Sequence, residues 1–190
     1  MKALLLCDHD SASYFSQDLR AKVQAAVTQA GCDVEIVDLN GDEIKPCLGC
    51  FDCWLKTPGL CTQTHDCVNT ICEKQLQSSV VIFLSKITYG GLSYDMKAFV
   101  DRSIPNIMPF LRIVGGETHH QRRYDKFTCM VTIGYGECTA SEQSTFVELA
   151  ERNARSMRPR KHFNLTIQNA DETDATMESL KNALISEVPR

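Results

Sequence analysis

Short apolar runs alternate five times with segments of helical period along this chain, and this alternation is the strongest constraint on its fold. The clearest run is Val80 to Leu84, which is bounded by serines and predicts a strand over Ser79–Ser85. Continuous apolar runs of this length are typical of parallel strands that are buried on both faces. The sequence therefore predicts an α/β fold, a doubly wound sheet of five parallel strands with helices on both faces. The other four strands are expected at Lys2–Cys7, Val34–Leu39, Phe127–Ile133 and His162–Gln168.

Apolar spacing and capping residues place the helices between these strands. Apolar residues three or four positions apart predict a first helix over about Phe15–Ala30. Ser93 can cap a helix after the central strand. Thr139 and Glu142 fit a capping box for a helix that ends near Met157. Two further helices are expected at Asp66–Leu76 and Asp171–Val188.

Three polar or glycine-rich segments follow strands of the predicted sheet. Ligands of doubly wound sheets bind at the carboxyl ends of the strands, so the site is expected from Asp8–Ser16, Ser85–Ser93 and Gly134–Thr139. Gly90 and Gly91 let the backbone approach a flat ligand, and the helix after them offers unpaired N–H groups. Each glycine segment taken alone is more simply explained as a plain turn. Their common position at one sheet edge is what favours a site.

Composition limits the functions open to the chain. Its 190 residues suit one domain, predicted to span residues 1–190. The net charge of −4 gives no electrostatic basis for binding nucleic acid. The longest apolar run is far too short to cross a membrane, and no signal-peptide pattern follows Met1. A cytoplasmic protein is therefore expected, with no nucleic-acid or membrane partner.

Ten cysteines are an unusual number for a chain of this size, and six of them lie in one stretch. Without a signal peptide, a reducing compartment is expected, and there clustered cysteines indicate metal or redox chemistry. The stretch Asp42–Asp66 shows no regular period, and its cysteine-rich loop covers about 45–66. Cysteines at x2, x2 and x7 spacing allow four thiolates to converge on one [4Fe–4S] cluster. The candidate ligands are Cys47, Cys50, Cys53 and Cys61.

Two other interpretations of this motif remain open at this point. The same thiolates can bind zinc, although three cysteines at x2 spacing crowd a single tetrahedral ion. Reduced cysteines can also pack as small apolar side chains without any metal. Cys67 and Cys72 are expected to belong to the following helix and to lie outside the ligand set.

A second irregular stretch is expected after the helix that follows the central strand. Pro105 and Pro109 end that helix, because proline lacks the backbone N–H that a helix needs. The irregular chain is predicted to continue to about Lys126. Within it, His119 and His120 are expected in a solvated polar loop. Adjacent residues of an extended chain point in opposite directions, so these two histidines are not expected to bind one metal ion together.

The segment from Pro46 to Cys61 resembles the signature of the flavodoxin-like NADPH-dependent FMN reductase superfamily, and its iron–sulfur flavoprotein-like branch in particular. Ile87–Ser93, followed by Lys97, is similar to the second flavin loop of that superfamily. The resemblance covers the chain from Met1 to about Met157. It implies a flavodoxin-like fold with strand order 2-1-3-4-5 and a homodimer or homotetramer.

The resemblance also implies a function and roles for particular residues. The function is that of an FMN-dependent NAD(P)H oxidoreductase or electron-transfer flavoprotein, which passes electrons to a small molecule or a protein. No dedicated catalytic acid or base is expected, because the cofactor performs the chemistry. The implied phosphate ligands are Ser11, Ser13 and Ser16. The isoalloxazine edge would contact Thr88, Tyr89, Gly90, Gly91 and Ser93, and its far side Gly134, Tyr135, Gly136 and Glu137.

The first loop departs from the superfamily pattern. From Asp8 to Tyr14 it contains no Gly or Arg, where the superfamily usually has Gly-Ser-x-Arg. An Asp about 4 Å from a phosphate charge costs from ~1 kcal/mol in water to ~4 kcal/mol near a protein surface. This acidity supports the alternative function, a non-catalytic flavodoxin-like module that senses metal or redox state.

Overall fold

The computed structural model describes residues 1–9, 14–40, 43–126 and 128–186. Several predicted positions lie outside these residues, namely the site residues Ser11 and Ser13 and the element limits Asp42, Phe127 and Val188.

A five-stranded parallel sheet forms the centre of the molecule. Its order is β2-β1-β3-β6-β7, which is 2-1-3-4-5 when only the strands of this sheet are counted. The predicted flavodoxin-like topology is therefore confirmed. The strands of the chain are β1 (Lys2–Asp8), β2 (Asp33–Leu39), β3 (Val80–Lys86), β4 (Ile107–Val114), β5 (Glu117–Arg122), β6 (Cys129–Tyr135) and β7 (Lys161–Ile167).

Helices cover both faces of the sheet, and the predicted caps are present. Ser93 Oγ accepts a hydrogen bond from the Met96 N–H at 3.4 Å, and Thr139 and Glu142 form the expected capping box. No helix in the described ranges is both long enough and apolar enough to cross a membrane. The helices are α1 (Tyr14–Gln29), α2 (Asp52–Leu55), α3 (Val68–Gln77), α4 (Tyr94–Arg102), α5 (Ala140–Met157) and α6 (Thr173–Ile185), with short 3₁₀ turns at Ile104–Asn106 and Ala170–Glu172.

The central strand β3 contributes side chains to two apolar clusters, one on each face of the sheet. Val80, Ile82 and Leu84 pack with residues of α1 and α6. Val81 and Phe83 pack with residues of α3 and α4. Burial on both faces explains why this strand is a continuous apolar run in the sequence.

The second stretch predicted to be irregular instead contains a β-hairpin, formed by β4 and β5. Its turn is Gly115 and Gly116, whose φ angles of 60° and 84° suit a two-residue hairpin. The sequence shows no strand pattern here for two reasons. Pro109 lies where the pairing register shifts, and β5 is polar along its whole length. The prediction of an irregular segment was therefore wrong.

Candidate functional site

The carboxyl ends of β1, β3 and β6 meet at one edge of the sheet, where Asp8 connects all three. Its carboxylate accepts hydrogen bonds from the Lys86 backbone N–H at 2.6 Å and from the Tyr135 hydroxyl at 2.7 Å. Burial raises the pKa of Asp8, and hydrogen bonds that include one with Ser93 offset part of this effect. The three strand ends expected to form the site are thus held together by one partly buried carboxyl group.

The loop after β3 is a tight turn that exposes Tyr89. Thr88 and Gly91 exchange backbone hydrogen bonds at 3.0 and 2.9 Å, and Tyr89 and Gly90 lie between them at φ 50° and 73°. A non-glycine residue at positive φ is uncommon and is often found at functional sites. A Cβ atom on Gly90 would lie 2.9 Å from the Thr145 Cβ atom, so α5 fixes the position of the turn. The result is a tight turn that packs against α5 and presents the exposed Tyr89 beside the sheet edge, where a planar ring could be contacted.

The loop after β6 forms the neighbouring part of the same edge. Tyr135 is buried, and its hydroxyl donates the hydrogen bond to the Asp8 carboxylate described above. Gly134 is buried where a Cβ atom would lie 2.5 Å from the Phe146 ring, so packing alone requires glycine there. Gly136 has φ 100°, and Glu137 is exposed. The structure thus brings these four predicted residues to the expected edge, and their contact with a cofactor stays a prediction.

The predicted serines fall in different surroundings. Ser93 begins α4, and its backbone N–H donates to Ser85 Oγ at 2.9 Å. Ser16 is partly buried in the first turn of α1 and lines a cavity of about 440 Å³ beside β1 and β2. Ser11 and Ser13 lie outside the described residues. Two of the four serines can therefore be placed at the site.

The cavity beside Ser16 is lined by one side of α1, from its first turn onward, and by acidic groups. Arg20 lines it but pairs with Asp38 at 2.6 Å. The His9 backbone N–H, at the same edge, donates to the Asp95 carboxylate at 3.1 Å. The N-terminus of α1 offers backbone N–H groups of the kind that bind phosphate. The described residues thus fit the flat ring of a flavin, and they offer its phosphate a helix N-terminus together with carboxylates that oppose it.

The four candidate cysteine ligands line one cavity of about 330 Å³. Cys47 and Cys50 are exposed, Cys61 is partly buried, and Cys53 is buried within α2. Burial raises the pKa of Cys53, and its electrostatic interaction with the other three cysteines raises it further. The fold therefore brings the four thiols of the motif close to one another.

Among the described residues, no three His, Cys, Asp or Glu side chains are arranged to hold a metal ion. Four thiols around one cavity are nevertheless the chemical type of ligand that an iron–sulfur cluster uses. Cys67 immediately precedes α3, and Cys72 is buried within α3, where burial raises its pKa to about 12. Neither of them lines the cavity.

Arg102 anchors the cysteine-rich loop to α4, a role that sequence reasoning missed. Its guanidinium is buried, pairs with Asp66 at 2.7 Å, and donates to the carbonyl oxygens of Lys45 at 2.8 Å and Gln63 at 3.1 Å. Burial alone would raise the pKa of Asp66, but hydrogen bonds from Arg102 hold it below its usual value. The sequence offers one signal for this role, the position of Arg102 in the helix. Arg102 lies three residues after the buried Phe99 on the apolar face of α4, and a charged group buried there needs a partner.

Trp54 joins the cysteine-rich loop to the hairpin. Its indole N–H lies within hydrogen-bonding distance of the carbonyl oxygens of Ile104 at 3.3 Å and Ile107 at 3.0 Å. Its ring packs against the His120 ring with centroids 5.0 Å apart. The prediction of a solvated loop at His119 and His120 was therefore wrong, because both residues lie in β5 and one of them packs on Trp54.

The chain matches a family model described as NADPH-dependent FMN reductase over residues 1–160. It is 34% identical over 80 residues to an iron–sulfur flavoprotein of Methanocaldococcus jannaschii, a segment that covers 42% of this chain and 40% of the relative. It is 33% identical over 76 residues to an iron–sulfur flavoprotein of Archaeoglobus fulgidus, which covers 40% of this chain and 33% of the relative. The matched segments thus span less than half the length of these relatives.

Solved structures with little sequence identity share the fold. An NAD(P)H:quinone oxidoreductase from Methanothermobacter marburgensis is 15% identical with a TM-score of 0.64, over 100% of this chain and 97% of the other. An azoreductase from Bacillus anthracis is 14% identical with a TM-score of 0.61, over 98% and 96%. Flavodoxin 1 from Bacillus cereus is 10% identical with a TM-score of 0.56, over 100% of both chains. These similarities support the flavodoxin-like architecture.

Proposed function

Because the chain belongs to the NADPH-dependent FMN reductase family, we propose that it is a flavin-dependent oxidoreductase with FMN at the carboxyl edge of its sheet. The observation that carries the proposal is the convergence of β1, β3 and β6 on Asp8 beside the exposed turn at Tyr89. NAD(P)H is the proposed electron donor, and a small molecule or a protein is the proposed acceptor. When bound, FMN supplies the hydride and electron chemistry.

In this proposal the chain binds and orients the flavin. The turn Thr88–Ser93 holds the isoalloxazine edge through its backbone, and Gly134–Glu137 lie on the far side of the ring. Ser16 and the N-terminus of α1 bind the phosphate, together with the predicted serines outside the described residues. Asp8 is a positioning residue, because its two hydrogen bonds hold the loops after β3 and β6 at a fixed separation.

An FMN titration followed by absorbance and fluorescence tests this site, and Gly90→Ala is the informative variant. The added Cβ atom meets Thr145 and the residue has φ 73°, so the turn must shift. We expect the affinity for FMN to fall about tenfold or more, the equivalent of ~1.4 kcal/mol. Gly31→Ala is the matched control, since Gly31 also has positive φ but follows the far end of α1 in open space.

Two results would contradict this assignment. One is failure of the wild-type protein to bind FMN at micromolar concentration. The other is an equal loss of affinity in the Gly90→Ala and Gly31→Ala proteins, which would indicate general destabilisation and not a displaced flavin loop.

We also propose that Cys47, Cys50, Cys53 and Cys61 hold a [4Fe–4S] cluster, which would serve as a second electron carrier. The support is the single cavity that the four thiols share. Arg102, which lines the same cavity, keeps the loop in place through Asp66. The role of the chain here is to hold four soft ligands at one position and to shield part of the group from water.

Iron content and visible absorbance of anaerobically purified protein test the cluster. Cys50→Ser is expected to remove the brown absorbance and most of the iron, because it deletes one of four ligands. Cys67→Ser is the matched control, since Cys67 is an exposed cysteine outside the cavity. Zinc in place of iron, or iron that survives triple replacement of Cys47, Cys50 and Cys53 by Ser, would overturn the assignment.

One observation favours the second candidate function, a metal- or redox-sensing module without flavin turnover. The carboxylates of Asp8 and Asp95 lie near the proposed phosphate site, where they repel an anion. The same titrations separate the two functions. Protein that binds iron or zinc through the cysteine-rich loop but takes up no FMN would identify the sensing module.

A further inference from the structure

A third cavity, of about 320 Å³, lies beside the hairpin and away from the proposed flavin site. It is called the apolar cavity below. Its apolar wall includes Val81, Phe83 and Met130 of β3 and β6, and Met157 at the end of α5. Helix α5 begins next to Thr139 at the proposed flavin edge, and its 18 residues span about 27 Å at ~1.5 Å per residue. The length of this helix therefore separates the cavity from the flavin edge.

An arginine-rich cavity of about 540 Å³ adjoins the apolar one. Arg122, Tyr124 and Arg158 line both cavities, so the two share these side chains as a common wall. Arg112 and Arg123 complete the basic wall of the arginine-rich cavity. The two neighbouring cavities thus present an apolar part and a strongly basic part.

Two of these arginines, Arg123 and Arg158, donate hydrogen bonds to backbone carbonyl groups. Arg158 donates to the backbone carbonyl of His120 at 3.1 Å, and Arg123 donates to that of Pro105 at 2.8 Å. These carbonyl groups satisfy hydrogen bonds without neutralising charge. Burial and then the positive charges of Arg158 and Arg112 hold the pKa of Arg122 below its usual value.

The acidic residues on the two walls are fewer than the basic ones. Asp125 lines the arginine-rich cavity. Asp101 lines the apolar cavity and pairs with Lys97 at 2.6 Å. Lys126 adds a further positive charge to the apolar cavity. Positive charge therefore dominates at the wall that the two cavities share, although the chain as a whole has a net charge of −4.

Two buried polar atoms on the wall of the apolar cavity have no hydrogen-bond partner among the described residues. They are the Asn106 Oδ1 atom, an acceptor, and the Arg158 Nε atom, a donor. Buried polar atoms in native proteins are normally satisfied by protein, water or a ligand. Both residues line the same cavity, so the polar groups of its wall are not fully satisfied by the described residues.

We propose that the apolar cavity binds a small amphipathic anion, with its apolar chain among Val81, Phe83 and Met130 and its carboxylate or phosphate against Arg122 and Arg158, at the wall shared with the arginine-rich cavity. The apolar cavity has the volume of small ligand pockets, which run from ~300 to ~1,000 Å³. Guanidinium groups are the donors best suited to carboxylate and phosphate heads. This site is separate from the flavin edge and does not depend on the proposed electron transfer.

Isothermal titration of the full chain, with and without FMN, tests the proposal with hexanoate, octanoate, octyl phosphate, 1-octanol and inorganic phosphate. Each added methylene is expected to tighten binding of the carboxylates by about fourfold, because it is buried in the apolar cavity. Octanoate and octyl phosphate should bind more tightly than octanol or phosphate, since only they have both the chain and the charged head. A preference between these two identifies the head group.

Variants of the basic wall complete the test. Arg122→Gln should weaken octanoate binding by about tenfold or more, because Arg122 contacts the head group directly. Arg112→Gln removes a positive charge from the adjoining cavity and should weaken octanoate binding by a smaller factor. Both variants should leave octanol binding unchanged. Arg112 is exposed, so its replacement does not threaten folding. Arg152→Gln is the control, because Arg152 is exposed on α5, pairs with Glu148, and lines neither cavity. Three results would overturn the proposal. They are equal affinities for hexanoate and octanoate, equal affinities for octanoate and octanol, and an octanoate affinity that neither wall variant changes.

Discussion

At the scale of single residues, the Arg102–Asp66 pair differs in its burial from the other ion pairs found among the described residues. Its side chains are 0% and 3% exposed, whereas those of the Lys97–Asp101 pair are 55% and 46% exposed. Exposed pairs contribute little to stability, but a buried charge that loses its partner is strongly destabilising. Because pairing lowers the folded-state pKa of Asp66, its contribution is complete above the unfolded value of about 3.9 and is lost as the pH falls through the lower folded value.

Arg102→Met is expected to lower the free energy of unfolding by about 3–5 kcal/mol at pH 7, because it leaves Asp66 buried without its partner. Urea unfolding measures the change. Arg152→Gln, which removes an exposed pair, should change the stability by less than about 1 kcal/mol. Equal stabilities for the two variants would contradict the anchoring role of Arg102.

At the scale of elements, the sequence predicted those parts that depend on local signals. Continuous apolar runs revealed β1 and β3, and Thr139 with Glu142 marked the start of α5. The same reasoning failed for the hairpin, whose stability comes from pairing and from contacts such as Trp54 with His120 and not from an apolar alternation.

The position of the candidate site could be predicted from the sequence, whereas its long-range side-chain contacts could not. Topology alone brings Asp8, Tyr89 and Tyr135 to one edge, because the carboxyl ends of parallel strands lie together. The anchor of the cysteine-rich loop was not predictable, since Asp66 and Arg102 are 36 residues apart and nothing in either segment specifies the other.

Removal of the α5 cap tests an element that the sequence did predict. Thr139→Ala is expected to cost about 1 kcal/mol of stability, because the N-cap hydroxyl no longer accepts from the Glu142 N–H. The matched control is Thr176→Ala, a partly buried position of α6 where the hydroxyl donates to the Glu172 carbonyl oxygen. It should stay within about 0.5 kcal/mol of the wild type in thermal or urea unfolding. Equal losses would show that capping does not hold this helix.

At the scale of the whole molecule, the most exposed large apolar side chains of the hairpin lie on β4. Phe110, Leu111 and Ile113 are 62%, 58% and 75% exposed. Leu111 and Ile113 are two positions apart in the strand and therefore point to the same face. Exposed apolar side chains that share a face often mark an interface between proteins. The proposed homodimer or homotetramer would bury these side chains against a second copy of the chain.

Ile113→Lys is therefore expected to shift the protein toward monomer in sedimentation velocity experiments, because it places a charge in the proposed interface. Ile185→Lys is the control, since Ile185 is an exposed apolar residue at the end of α6, remote from the hairpin in the chain. A wild-type protein that is monomeric at micromolar concentration would exclude this interface. Equal dissociation of both variants would show that the effect is not specific to β4.

The hairpin begins and ends at neighbouring points. Ile107 pairs with Arg122, and the Arg123 N–H donates to the Asn106 carbonyl oxygen at 3.3 Å. A segment whose two ends are adjacent can be lengthened, shortened or exchanged without moving the strands on either side of it. During evolution, the arginine-rich side of the molecule can therefore diverge by insertion and deletion while the strand order stays the same. Chains with the same central sheet are in this way free to acquire different accessory ligands without rebuilding the edge at Asp8.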